Sequence, residues 1–160
     1  MTIAHDEIIN ALDYNPNTGI FLWNIRSADK IKIGSIAGSK PTPYIRIRFK
    51  NKYYLAHRLA WFYMTGKFPS GVIDHINGVP SDNRFSNLRD TTQEINTQNR
   101  KKPKASNKSG FVGVSCKDVK FIAAICVRGK RIYIGAFADF ESAKHEYIRF
   151  KEELHNGYIK

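Results

Sequence analysis

Cysteine is scarce in this chain of 160 residues: there are two, Cys116 and Cys126, and they do not form a C-x-x-C arrangement. Neither a structural zinc site nor a disulfide framework is expected from them. Long apolar runs are missing as well, and none approaches the roughly 18 to 20 residues that a bilayer-spanning helix needs. Residues 1–10 hold His5, Asp6 and Glu7 where a signal peptide would need an apolar core, so secretion is not expected and a cytoplasmic location is. Acidic residues are few, 14 against 26 Lys plus Arg, which leaves a net charge of +12 and a pI near 9.8. An average soluble domain lies near neutrality, so this excess points to a polyanionic partner. What is present, 42% hydrophobic residues over this length, is enough for one ordinary domain or two small ones with a real core.

The first fifty residues read as turns and strands. Asn15, Pro16, Asn17, Thr18 and Gly19 form a turn cluster, and residues 20–25 after it are a strand candidate. Residues 44–49 alternate bulky and basic side chains, Lys50, Asn51 and Lys52 can turn the chain, and residues 53–56 can return as the partner of a hairpin. Residues 57–65, stopped by Gly66 and Pro69, predict a short helix with one strongly apolar face. Residues 78–90 are rich in Asn, Ser, Asp and Pro and predict a loop. The spacing of Thr91, Thr92, Gln93 and Glu94 then predicts a capped helix through about Arg100. From residue 100 to 109 the composition changes to Lys, Asn, Ser and Pro, a basic linker and the expected domain boundary. Beyond it, residues 111–116, 120–128 and 131–137 read as three strands. Residues 140–155 read as a closing helix whose Ala143, Tyr147, Phe150 and Leu154 make one apolar stripe.

The chemistry concentrates in Asp74, His75, Asn77 and Gly78, followed by Asp82 to Arg89 and then Asn96. An acid next to a His at a strand end, an Asn in the return loop and an Asn on the next helix can converge if a strand-loop-strand-helix unit folds back on itself. A carboxylate and an amide oxygen suit a hard divalent cation, and an imidazole can take a proton from water. Such a set suffices to hydrolyse a phosphodiester. Asn77 and Gly78 read as a turn. His57, at the start of an apolar helix, reads as a packed, hydrogen-bonded residue, and His5, His145 and His155 as surface residues.

At these residues the sequence resembles the HNH endonucleases, and residues 14–23, 34–38, 44–61 and 74–100 resemble the phage-type homing members of that family. The resemblance implies a beta-beta-alpha-metal nuclease core in which Asp74 binds the metal, His75 is the general base, Asn87 holds the imidazole and Asn96 is the second metal ligand. A side-chain carbonyl that accepts from one ring nitrogen fixes the tautomer that leaves the other nitrogen able to act as base. The third letter of the family motif is here Asn rather than His, and an oxygen-only donor set favours one Mg2+ or Mn2+ ion over zinc.

Residues 109–158 are similar to the ethylene-responsive-factor (AP-two) type of DNA-binding domain, which implies a three-stranded sheet laid in the major groove with a helix on its other face. Period-two alternation predicts that Ala123, Ile125, Val127, Ile132 and Ile134 face the helix, and that Ala124, Cys126, Arg128, Arg131 and Tyr133 face outward. Phe121, Ala124 and Cys126 depart from the plant pattern, so the plant sequence preference does not transfer. Between residues 100 and 131 ten basic residues stand against one acid, Asp118. The expected DNA contacts are Arg100, Lys101, Lys102, Lys104, Lys117, Lys120, Arg128, Lys130, Arg131 and Tyr133.

The fold class expected is therefore α+β: an HNH core with a strand-rich N-terminal extension, plus a small three-stranded antiparallel sheet packed on one helix. The expected domains are residues 1–100 (strands to 56, core 57–100), the linker 101–109, and 110–160. The expected function is metal-dependent, homing-type cleavage of double-stranded DNA by a monomer with no protein partner. Two alternatives draw on the same residues: a catalytically inactive DNA-binding regulator, against which the joint presence of Asp74, His75, Asn87 and Asn96 argues, and an RNA-directed nuclease.

Overall fold

A computed structural model describes residues 3–26, 31–99, 103 and 105–155. The chain divides into two compact units, residues 1–91 and 92–160. The division falls at Thr91 and Thr92, ahead of the capped helix, where the sequence had placed it in the basic segment after that helix.

The first unit opens with α1 (His5–Ala11), which the sequence reading did not anticipate, and the hairpin β1 (Leu12–Asn15) and β2 (Ile20–Trp23). Next come the hairpin β3 (Arg46–Phe49) and β4 (Lys52–Leu55), the helix α2 (Ala56–Thr65), and the antiparallel pair β5 (Val72–His75) and β6 (Leu88–Thr91). In β3 the alternation works as expected, with Ile47 and Phe49 buried and Arg46 and Arg48 exposed. Lys50 and Asn51, both with positive φ, make the two-residue turn that suits the right-handed twist of a hairpin. α2 ends where the Gly66 N–H bonds the Phe62 carbonyl, and it buries Ala56, His57, Leu59, Ala60 and Phe62. Ile8, Leu12, Phe21, Ile47 and Leu59 fill the centre of this unit. Each such side chain contributes about 2 kcal/mol. β6 lies in the stretch read as loop; it holds one buried apolar residue, Leu88, and it is a strand because β5 pairs with it.

The second unit contains α3 (Gln93–Gln98), the sheet β7 (Val114–Lys117), β8 (Lys120–Val127) and β9 (Lys130–Phe137) in the order β7-β8-β9, and α4 (Phe140–Leu154). α3 starts where the Thr92 side chain accepts from the Ile95 N–H, and none of its side chains is buried. α4 starts at Asp139, whose carboxylate accepts from the Ser142 N–H at 2.8 Å. Its buried face is Ala143, Tyr147 and Lys151. The expected stripe through Phe150 and Leu154 is corrected in its second half. Leu154 is exposed, and the Lys151 stem packs with its ammonium 5.8 Å from the Tyr147 ring centroid. Ala123 and Ile125 are buried as expected, while Ile132 is 38% exposed. A bulge between Ala123 and Ala124 shifts the β8–β9 register, and Ile134 rather than Ile132 packs against this core. Cys116 and Cys126 are free and exposed. Among the described residues no helix is long and apolar enough to cross a membrane.

Gly113 shows how tightly α4 sits on its sheet: at φ +85°, a Cβ there would lie 1.8 Å from Cε2 of Tyr147. Gly113→Ala is expected to destabilise the second unit by about 2 kcal/mol or more, from overpacking and left-handed strain together. Denaturant unfolding followed by probes in each unit checks this; the first unit's transition should not move.

Candidate active site

β5 carries Asp74 and His75 into the interior, where they are 5% and 6% exposed. Buried polar groups of this kind need partners. β6 supplies one: Asp74 lies opposite Arg89 in the register, and the Arg89 guanidinium donates to Asp74 Oδ2 at 2.6 Å. The loop between the strands is pinned at its neck. The Ile76 N–H bonds the Asn87 carbonyl, the Asn77 N–H bonds Asn87 Oδ1 at 2.9 Å, and Asn87 Nδ2 donates to Asn77 Oδ1 and to the Asp82 carbonyl. Arg84 forms a two-pronged pair with Asp82, and its hydrogen bonding is the largest cause holding the Asp82 carboxyl down at about 2.

This arrangement relocates the support of the imidazole. The sequence reading gave it to Asn87, whose amide is occupied by the loop neck; the Oδ1 that meets His75 Nε2, at 3.2 Å, belongs to Asn83. Asn83 is 1% exposed, and among the described residues its Nδ2 has no hydrogen-bond partner. No sequence signal singled it out of a loop that also holds Asn77 and Asn87; the contact exists only in three dimensions.

A second imidazole stands beside the first. The His57 ring lies edge-on to His75, with centroids 5.1 Å apart at 88°, and Tyr44 closes a third side at 5.1 Å from His57 and 6.1 Å from His75. His57 is packed as expected, but its Nδ1 has no hydrogen-bond partner among the described residues. Burial, then the neighbouring His75 and Arg58, pushes the His57 ring down to about 4. Burial also lowers His75, and it outweighs the Asn83 hydrogen bond and the Asp74 and Asp82 charges that pull the other way. Both rings are therefore neutral near pH 7, the state a proton acceptor requires. The other histidines are not all on the surface: His5 bonds the Tyr63 carbonyl, His155 is buried against the Cys126 carbonyl at 2.9 Å, and His145 alone is exposed.

Asp74, His75 and Asn87 thus lie in the first unit, whereas Asn96 lies half-buried on α3 in the second. Among the described residues no three His, Cys, Asp or Glu side chains gather as a metal group. A carboxylate such as that of Asp74 is a hard oxygen donor of the kind a divalent ion takes. Of the expected DNA contacts, Lys117, Lys120, Arg128, Lys130, Arg131 and Tyr133 are exposed, and Arg100, Lys101, Lys102 and Lys104 lie outside the described residues. In the first unit, β3 and β4 expose Arg46, Arg48 and Tyr53, with both guanidiniums within 6 Å of the Tyr53 ring centroid at 5.8 and 5.9 Å.

A family model described as HNH endonuclease matches residues 54–98, a stretch that holds Asp74, His75, Asn83, Asn87 and Asn96. This match supports a nuclease of the HNH type. Comparison with curated proteins gave no match, and comparison with solved structures gave none either.

The His57 ring also sets a pH dependence. Its folded value, about 4, lies below the ordinary 6.5, so the unfolded chain takes the proton first. The associated stability is complete above pH 6.5 and is lost as pH falls from 6.5 towards 4. The loss is at most about 3 kcal/mol, and His75 adds in the same direction. His57→Gln is expected to make the stability profile shallower across that window, as read by denaturant midpoints at a series of pH values.

Proposed function

We propose that the chain is a metal-dependent endonuclease that hydrolyses phosphodiester bonds in double-stranded DNA, of the homing type that its sequence resembles. The observation that carries this reading is His75, an imidazole kept neutral in the interior beside a carboxylate, inside the stretch that matches the HNH family. His75 takes the proton from the attacking water. Asp74 would be a ligand of one Mg2+ or Mn2+ ion, which would supply Lewis-acid polarisation of the phosphate and stabilisation of the departing oxygen. Arg89, paired with Asp74, orients that carboxylate. Asn87 keeps the loop closed so that the strand end carrying Asp74 and His75 holds its shape.

DNA binding rests on charge. A net +12 draws the phosphate backbone, so affinity falls steeply with salt. The outer face of the second unit's sheet, where Arg131 pairs across from Cys126 and Tyr133 from Ala124, is the AP-two-like reader, since a short β-ribbon fits the major groove. With one active site per chain, a monomer nicks one strand, and a double-strand break needs a second site or subunit.

The test is cleavage of supercoiled plasmid with magnesium. His75→Ala is expected to slow cleavage by about 100-fold or more with DNA affinity unchanged; cutting at the wild-type rate would remove the base assignment. Asp74→Asn is expected to raise the magnesium concentration needed for half-maximal rate, and an unaltered metal titration would refute the ligand role. For the sheet, Arg128→Ala and Arg131→Ala are each expected to reduce the slope of log affinity against log salt by about 1, as measured by fluorescence anisotropy.

A further inference from the structure

The hairpin β1–β2 takes no part in the chemistry above, yet its contacts converge on residues 83–85. The Tyr14 hydroxyl donates to the Asn83 carbonyl at 2.7 Å. The Phe85 N–H donates to the Pro16 carbonyl at 3.0 Å. Gly19, at φ +73°, comes so close that a Cβ would lie 2.5 Å from Arg84 N and from the Asn83 carbonyl carbon. Tyr14 is itself immobilised: its ring stacks on Phe21 at 4.6 Å and meets Tyr63 edge-on at 5.6 Å.

Among the described residues the Asn83 side chain makes one hydrogen bond, to His75, and Nδ2 offers no second anchor. The direction of the amide therefore depends on where the backbone of residue 83 is held, and the hairpin holds it. An amide oxygen can only accept, so the Nε2 that it meets must carry the ring proton, and the lone pair falls on Nδ1.

We propose that β1–β2 is a clamp for the general base: Tyr14, Pro16 and Gly19 fix the Asn83 backbone so that Asn83 Oδ1 holds His75 in the Nε2–H tautomer, with Nδ1 presented as the proton acceptor. Asn83 and Tyr14 are then positioning residues, acting through His75. The proposal rests on the reading of His75 as the base. It assigns the N-terminal hairpin, remote in sequence from the HNH stretch, a part in the reaction.

The experiment reads the ring directly. Full-length protein labelled with 15N at histidine is examined by NMR without DNA, at a pH where His75 is neutral, with its signals identified by their loss in His75→Ala. Wild type is expected to show the Nε2–H tautomer. Asn83→Ala and Tyr14→Phe are expected to shift it towards a mixture, and to lower the single-turnover cleavage rate by about 100-fold and about 10-fold, with DNA affinity retained. Asn83→Asp keeps an acceptor at the same place and is expected to restore the Nε2–H tautomer and most of the rate. A purely structural role for Asn83 predicts no such rescue. An Nδ1–H ring in wild type, or an Nε2–H ring that survives both Asn83→Ala and Tyr14→Phe, overturns the clamp whatever the cleavage assay gives. Wild-type cleavage by His75→Ala would instead overturn the base assignment, so the two failures are told apart.

Discussion

Placing an acid and an imidazole side by side at the buried end of a four-residue strand is costly, and the first unit is organised around meeting that cost. Asp74 is met by a cation from the adjacent strand, at 2.6 Å. His75 is met by an amide from the return loop, and burial outweighs that hydrogen bond in keeping the ring neutral. The same interior that makes these groups expensive to bury makes them useful. Removing water from an imidazole weakens its hold on a proton at rest, and it also strengthens every interaction with the charge that forms when a proton arrives.

The elements that the sequence displayed were those with an internal rhythm. The alternation in β3, the apolar face of α2, the three strands of the second unit and the closing helix can each be read from side chains a few positions apart. α1 and β6 lack such a rhythm. α1 has 7 residues, too short to be stable on propensity alone, and it exists because Ile8 and Ala11 pack on the core. β6 exists because β5 lies next to it. The apolar stripe of α4 went astray for a related reason: alkyl stem and charge share one side chain in Lys151, and a pattern of apolar letters does not count the stem.

The site divides along the same line. Asp74 and His75 stand out as a pair on the page, and Asn87 and Asn96 follow from the family's spacing. What spacing cannot tell is which of several amides in an Asn-rich loop faces the ring. Asn87 is spent on holding the loop together, and Asn83, one turn of chain earlier, reaches His75 because Tyr14 grips its carbonyl. His155 is buried for a similar reason. Its partner, the Cys126 carbonyl, lies on a strand that only the fold brings near.

The bonds that tie Asn87 to Ile76, Asn77 and Asp82 make the intervening segment a closed ring with its knot at the strand ends. The outer arc of this ring is the turn 79–82, closed by the Asp82 N–H on the Val79 carbonyl and joined to the neck where the Val79 N–H bonds Asn77 Oδ1 at 2.9 Å. Changes of composition confined to its tip, residues 80 and 81, leave those bonds in place. The tip offers a handle for attaching a reporter close to the chemistry without disturbing the strand from which that chemistry projects.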